Sequence, residues 1–132
     1  MAGGKKILVV DDNPDAIEFV KAVISGIGDY SVITATDGNQ GLAKAQAESP
    51  DLIILDVMMP VKDGFMVFAD FRKNPETMNI PVIMLTGVSE ETGSKFGKKD
   101  MGKFIGQEPE EFIDKPVDPI KLQEIVKKIL DE

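Results

Sequence analysis

The chain has 132 residues, of which 42% are apolar, and a formal net charge of −8 at pH 7, so we expect one folded domain that does not itself bind nucleic acid. It contains neither cysteine nor histidine, which excludes disulfides, zinc-thiolate sites and every catalytic triad that relies on an imidazole base. No apolar run is long enough to span a membrane and no secretion signal is visible, so we expect a cytoplasmic protein without a membrane partner.

Short apolar runs alternate with amphipathic segments along the whole chain. The runs are too short for amphipathic helices and are typical of buried strands in a parallel sheet. Five strands are predicted, over 6–10, 31–35, 52–56, 80–86 and 111–114. Each is followed by a predicted helix: from Pro14 to about Gly26 or Gly28, over 39–47, over 65–73, loosely over 90–99, and from Pro119 almost to the C-terminus. A loop over 58–63 is predicted between the third strand and its helix.

Capping signals and glycines set several of these boundaries. Asn13-Pro14 and Asp118-Pro119 each supply an N-cap followed by proline at the first helical position. The stretch 87–106 contains five glycines, and because glycine weakens a helix interior, the fourth helix is predicted to be short or broken. We expect the first helix to bury Ile17, Val20 and Ile24, and the last helix to present Ile120, Ile125, Val126 and Ile129 to the core.

Five strand–helix units in one domain predict an α/β fold of the flavodoxin-like type. We expect a (βα)5 doubly wound, five-stranded parallel sheet in the order 2-1-3-4-5, with helices on both faces. The domain is predicted to cover residues 5–132. In such a sheet, binding sites form where the carboxyl ends of the strands meet the following loops.

Three acidic residues stand at two of these strand ends. Asp11 and Asp12 follow the first strand, and Asp56 ends the third. Taken singly, each acid is equally well explained as a turn, cap or strand-end residue. Together they oppose one another unless a cation neutralises them, and an all-oxygen site favours a hard cation such as magnesium. Thr86 and Lys115 end the fourth and fifth strands and should lie at the same edge.

These motifs, in this order, resemble those of response regulator receiver domains, the phosphoacceptor domains of two-component systems. The resemblance covers nearly the whole chain. It rests on Ile7-Leu8-Val9-Val10-Asp11-Asp12-Asn13, Leu55-Asp56-Val57-Met58-Met59-Pro60 with Asp63-Gly64, Pro81-Val82-Ile83-Met84-Leu85-Thr86, and Lys115-Pro116.

The resemblance implies a role for each residue of the site. Asp56 would accept the phosphoryl group, and Mg²⁺ (or Mn²⁺) would be bound by Asp12, by Asp11 directly or through water, by Asp56 and by the backbone carbonyl of Met58. The other two implied residues act on the phosphoryl group: the hydroxyl of Thr86 donates to it, and Lys115 forms an ion pair with the acylphosphate.

The resemblance also implies a switch and a set of partners. Thr86 would move towards the phosphoryl group and Phe112 would turn inward, although Phe112 is also well explained as ordinary core. This would alter the face formed by the fourth helix, the fifth strand and the last helix. The donor would be a histidine kinase or phosphotransfer protein, and the signal would pass to a downstream protein or to an output domain outside this chain. The domain would be a monomer or a phosphorylation-dependent dimer.

Two other functions stay open on the sequence alone. The first is a degenerate receiver that acts only as a protein-interaction module. The second is a magnesium-dependent aspartyl phosphatase, which is disfavoured because Met58 stands where such an enzyme needs a second acid. The receiver interpretation predicts no activity as an enzyme beyond self-phosphorylation and autodephosphorylation.

Lysines on the last two helical segments have two interpretations. They are either a solvated surface or a basic face that steers an acidic partner. The residues concerned are Lys95, Lys98, Lys99, Lys103, Lys121, Lys127 and Lys128.

Overall fold

The computed structural model describes residues 5–28, 30–56, 64–86, 111–114 and 117–130, with the backbone alone at 64–65, 86, 111–112 and 114. The predicted helix over 90–99 and the predicted loop over 58–63 lie outside these residues. The described elements are β1 (Lys6–Val10), α1 (Pro14–Ser25), β2 (Ser31–Ala35), α2 (Gly38–Glu48), β3 (Leu52–Asp56), α3 (Gly64–Lys73), β4 (Val82–Thr86), β5 (Glu111–Asp114) and α4 (Pro119–Leu130).

The strands form one parallel sheet in the order β2-β1-β3-β4-β5. The predicted α/β class, a parallel sheet covered by helices, is therefore confirmed. The chain moves outward from β1 to β2 and then returns to place β3 on the other side of β1. This reversal is the position at which open α/β sheets form binding crevices, because the loops after β1 and β3 diverge there.

Each face of the sheet carries its own apolar core. On one face, alternate residues of β1 and β3 pack with α1 and α4, and Ile17, Val20 and Ile24 are buried there as predicted. On the other face, the intervening strand residues pack with α2 and α3, whose largest buried side chains are Phe68 and Phe71. The central strand β3 is buried along its whole length. This two-sided burial explains why its sequence is a continuous apolar run.

Two sequence predictions need correction in the second half of the chain. The fourth strand begins at Val82 and not at residue 80. The reason is that the N–H of Ile80 donates to the carbonyl of Thr77 at 3.1 Å in a turn, and Pro81 has no N–H. Pro81 still contributes its carbonyl, which accepts from the N–H of Ile53 at 3.0 Å.

The core-facing side of α4 also differs from the prediction. Leu122, Val126 and Leu130, spaced by four residues, are its buried residues, so the prediction is right for Val126. Ile120 is 66% exposed, and Ile125 and Ile129 pack only partly against the core. With 3.6 residues per turn, Ile120 lies about 200° around the helix from Leu122, so it faces away from the buried side of α4.

Side-chain caps fix the start of three helices. Asn13 accepts from the N–H of Asp15 at 2.9 Å, and Asp118 accepts from the N–H of Ile120 at 2.9 Å, as the sequence predicts for both sites. Asp37 caps α2 by accepting from the N–H of Gln40 at 2.8 Å. Such caps satisfy N–H groups that have no partner within the helix.

No helix in the described part of the chain is both long and apolar enough to cross a lipid bilayer.

Candidate functional site

Neighbouring strand ends bring three carboxylates together. Val10 of β1 pairs with Leu55 of β3, so the next residues along these parallel strands, Asp11 and Asp56, come side by side. Asp12 follows directly, and one carboxylate oxygen from each of the three acids lies within 4.8 Å of the others. Asp11 and Asp56 are each only 2% exposed, whereas Asp12 is exposed. The site is therefore a pair of buried acids with a third at its mouth.

Backbone hydrogen bonds hold Asp11 in place. Its N–H donates to the carbonyl of Ala35 at 3.0 Å, which continues the pairing of β1 with β2 by one residue. Its Oδ1 accepts from the N–H of Asn13 at 2.9 Å, and its Oδ2 is buried. The orientation of this carboxylate is thus set by the chain on both sides of it.

The chemistry of these donors fits a hard divalent cation. Two unit charges 4.8 Å apart repel each other by roughly 3 kcal/mol at an effective dielectric constant of about 20, and burial raises the cost of keeping both charged. A cation between the carboxylates converts this repulsion into attraction. Carboxylate oxygens favour magnesium or calcium over metals that prefer nitrogen or sulfur. The residues present are therefore suited to binding Mg²⁺.

The structure places some of the other predicted site residues only by their backbone. Asp56 pairs with Leu85 on β4, so Thr86 is one position beyond this pair at the same edge of the sheet. Phe112 pairs with Met84 in the backbone ladder of β5. The side chains of Thr86 and Phe112, and the whole of Met58 and Lys115, lie outside what the structure describes.

One residue at the site was identified from the sequence only as a helix cap. Asn13 contacts Asp11 through its backbone N–H, in addition to capping α1. A sequence pattern signals the cap, since asparagine before proline is typical of a helix start. The bond to Asp11 spans only two residues, and an aspartate that accepts from the N–H two positions on is a typical Asx turn, so Asp11 carries a local signal for this bond.

Comparison with known proteins places this arrangement in a family. The family model for the response regulator receiver domain matches residues 7–127. The alkaline phosphatase synthesis transcriptional regulatory protein PhoP of Bacillus subtilis is 39% identical over 96% of this chain, but the chain spans only 48% of that relative's length. Protein PilH of Pseudomonas aeruginosa is 33% identical over 95% of this chain, which covers 97% of PilH.

A solved structure agrees with these relatives. The receiver domain of the sensor histidine kinase PA1611 from Pseudomonas aeruginosa superimposes with a TM-score of 0.79 at 25% sequence identity, over 98% of this chain and 100% of that one. That structure holds a magnesium ion coordinated in its active site cleft. The fold, the family model and the full-length relatives agree, and the chain therefore belongs to the response regulator receiver domain family, the signalling domains of two-component systems.

Proposed function

We propose that this chain is a magnesium-dependent phosphoacceptor, and that Asp56 receives the phosphoryl group. The observation that carries the proposal is the convergence of Asp56 with Asp11 and Asp12 within 4.8 Å at the ends of β1 and β3. The magnesium ion in the cleft of the PA1611 receiver domain supports the same use of this edge here. Asp11, Asp12, Asp56 and the carbonyl of Met58 would hold Mg²⁺, with Mn²⁺ as a substitute.

The transfer itself needs only a carboxylate nucleophile and compensation of charge. A carboxylate oxygen of Asp56 attacks the phosphorus of a phosphohistidine on the donor, forming a P–O bond as the P–N bond breaks, and the departing imidazole nitrogen takes up a proton. The bound cation would offset the negative charge of both reactants. Lys115 would pair with the resulting acylphosphate, and the hydroxyl of Thr86 would donate to it. No histidine is needed in the chain, because the donor supplies it.

Burial favours Asp56 over Asp12 as the nucleophile. Its carboxylate is 2% exposed at the end of the central strand, whereas Asp12 is exposed. A buried carboxylate sheds its hydration shell before reaction and is held by a rigid strand, so the reacting atoms approach with little loss of orientation. Asp11 is equally buried, so the choice of Asp56 over Asp11 rests on the resemblance to the family.

Phosphorylation would change the conformation of β4, β5 and α4. Asp56 pairs with Leu85 of β4, and Thr86 is the next and last residue of the same strand. A shift of Thr86 would let Phe112 turn inward and alter the face formed by the predicted 90–99 helix, β5 and α4. A downstream partner, acidic if the lysines form a basic face, would recognise the altered face. A phosphorylation-dependent dimer would form through the same face.

The domain, proposed to span residues 5–132, would act on no separate metabolite. Its phosphoryl donor would be a histidine kinase or phosphotransfer protein. The chain spans 48% of the transcriptional regulator PhoP and would correspond to one part of such a protein. PilH, of which the chain covers 97%, shows that a relative of this length also exists, so the output can be a separate protein.

Acetyl phosphate provides a direct test of the acceptor. With Mg²⁺ present, we expect the wild-type chain to gain the mass of one phosphoryl group, and Asp56→Asn to gain none. Asp51→Asn is the matched control, since the exposed Asp51 directly precedes the same strand at its opposite end and its removal should leave labelling intact. Undiminished labelling of Asp56→Asn would overturn the proposal.

A phosphoryl mimic separates a working switch from a degenerate receiver. We expect Mg²⁺ with beryllium fluoride to shift the NMR resonances of Thr86 and the ring resonances of Phe112. The same addition to Asp56→Asn should produce no shift. Binding of the mimic without any change at Phe112 would favour a domain that acts only as a protein-interaction module.

A further inference from the structure

Asn13 links the acidic site to the first helix through three hydrogen bonds. Its N–H donates to Oδ1 of Asp11 at 2.9 Å, and its side-chain Oδ1 accepts from the N–H of Asp15 at 2.9 Å. Its carbonyl accepts from the N–H of Ile17 at 3.1 Å, which is the first backbone bond of α1. Asn13 is therefore both the beginning of α1 and a direct contact of a buried carboxylate.

The side chain of Asn13 controls the direction of its own N–H. As an N-cap, the residue has an extended backbone, with φ −101° and ψ 113°. This conformation sends the carbonyl into the helix while the N–H points back to Asp11. The bond from Asp15 to the capping oxygen stabilises this conformation. Pro14 also favours an extended backbone at Asn13, so without the capping bond the first turn of α1 frays more easily and the direction of the N–H is less tightly held.

The same contacts fix the segment that carries Asp12. Asp12 lies between Asp11, whose N–H is bonded to Ala35 at 3.0 Å, and Asn13, which is held by α1. An exposed carboxylate has few contacts of its own, so its position depends on the backbone that bears it. The cap at Asn13 thus sets the geometry of two of the three acids.

We infer that Asn13 is a positioning residue for the magnesium site, acting through the backbone of residues 11–13. The inference rests on the proposed function, because it concerns binding of Mg²⁺ by Asp11 and Asp12. Groups that orient metal ligands without touching the metal typically change its affinity by about 10–100-fold. Since Asn13 acts partly through its backbone, which a side-chain substitution leaves in place, we expect the lower end of this range.

The test is a Mg²⁺ titration followed by the backbone amide resonances of residues 11–13. We expect Asn13→Ala to raise the Kd for Mg²⁺ about tenfold, and Asn13→Ser, which keeps a capping oxygen, to restore it to near the wild-type value. Asn13→Gly removes the side chain with little cost to the helix start. It serves as the informative variant where Asn13→Ala fails to fold.

Asp37 provides the matched control, because it caps α2 in the same way, accepting from Gln40 at 2.8 Å. Asp37→Ala should destabilise the chain, yet change the Kd for Mg²⁺ no more than Asp37→Asn, which removes the charge and keeps a capping oxygen. An equal rise in Kd for Asn13→Ala and Asp37→Ala would mean that loss of any cap weakens binding, and would overturn the inference.

The remaining outcomes separate the inference from the proposed function. If the wild-type chain binds no Mg²⁺, the proposed function fails and the inference fails with it. If the wild type binds Mg²⁺ and both Asn13→Ala and Asn13→Gly bind it with the same Kd as the wild type, the inference about Asn13 is overturned and the proposed function stands. If Asn13→Ser binds as weakly as Asn13→Ala, the capping oxygen is not what positions the acids, and the inference is again overturned.

Discussion

Gly41 shows how one missing methyl group sets the distance between α2 and the sheet. A Cβ built at this position would lie 2.9 Å from Cγ2 and 3.3 Å from Cγ1 of Val10, the last residue of β1. The branched Val10 side chain has few rotamers with which to give way, and it is fully buried. The glycine therefore permits a close approach of helix and strand directly before the acidic pair.

Gly41→Ala should destabilise the chain although it improves helix propensity. Alanine favours a helix interior by about 0.5–1 kcal/mol over glycine, but overpacking a core typically costs about 1–3 kcal/mol. We expect a net loss of about 1 kcal/mol in the free energy of unfolding, measured with urea. In a Val10→Ala background the loss should disappear, since the clashing methyl groups are gone. A Gly41→Ala chain more stable than wild type would contradict this account.

At the level of elements, an ion pair joins the start of β1 to the end of α2. Nζ of Lys6 lies 2.8 Å from Oε1 of Glu48 and also donates to the carbonyl of Glu48 at 3.3 Å. The hydrogen bond from Lys6, and then its charge, hold the pKa of Glu48 below its ordinary value of 4.5. The pair lies at the amino end of the sheet, away from the acidic site, so it can be altered without touching that site.

The contribution of this pair to stability should depend on pH in a defined direction. A carboxyl group with a lowered pKa in the folded state stabilises it above the unfolded pKa, and this contribution is lost as the pH falls through the folded pKa. Glu48→Gln should therefore be slightly less stable than wild type at pH 7, with the difference shrinking below pH 4.5. Denaturation at several pH values measures this. Lys6→Met should reduce the pH dependence of the difference, since the charge of Lys44 also lowers the pKa of Glu48 to a smaller extent. A difference that grows on acidification would refute the assignment.

At the level of the whole molecule, the net charge of −8 adds a general repulsion to the local one among the three acids. Any salt screens the general term. Only a cation that binds between the carboxylates relieves the repulsion among the three acids. Stability in different salts at equal ionic strength therefore separates the two.

MgCl2 should stabilise the wild-type chain more than NaCl does at the same ionic strength. A ligand at ten times its Kd contributes about 1.4 kcal/mol, which raises Tm by about 5 °C for a domain of this size. In Asp12→Asn, MgCl2 and NaCl should raise the Tm by almost the same amount. That variant should also be the more stable chain in EDTA, because one of three opposing charges is gone. Equal effects of both salts on wild type would argue against a specific site.

The sequence by itself determined the elements and the identities of the acids. Strands over 6–10, 31–35, 52–56 and 111–114 are observed with the predicted bounds. Those over 6–10 and 52–56 are nearly continuous apolar runs, which the local pattern reveals, and the one over 31–35 is rich in β-branched residues. The caps at Asn13 and Asp118 were predictable for a similar reason, since a cap depends only on residues a few positions apart.

Tertiary structure alone decided which of these local features meet. Packing on the sheet buries the side of α4 that carries Leu122 and Val126, and it leaves Ile120, about 200° around the helix from Leu122, 66% exposed. Gly41 and Val10 are 31 positions apart, and only packing of α2 on β1 reveals that one must be small. Local periodicity determines what each segment becomes, but distances between segments depend on the complete packing of the chain.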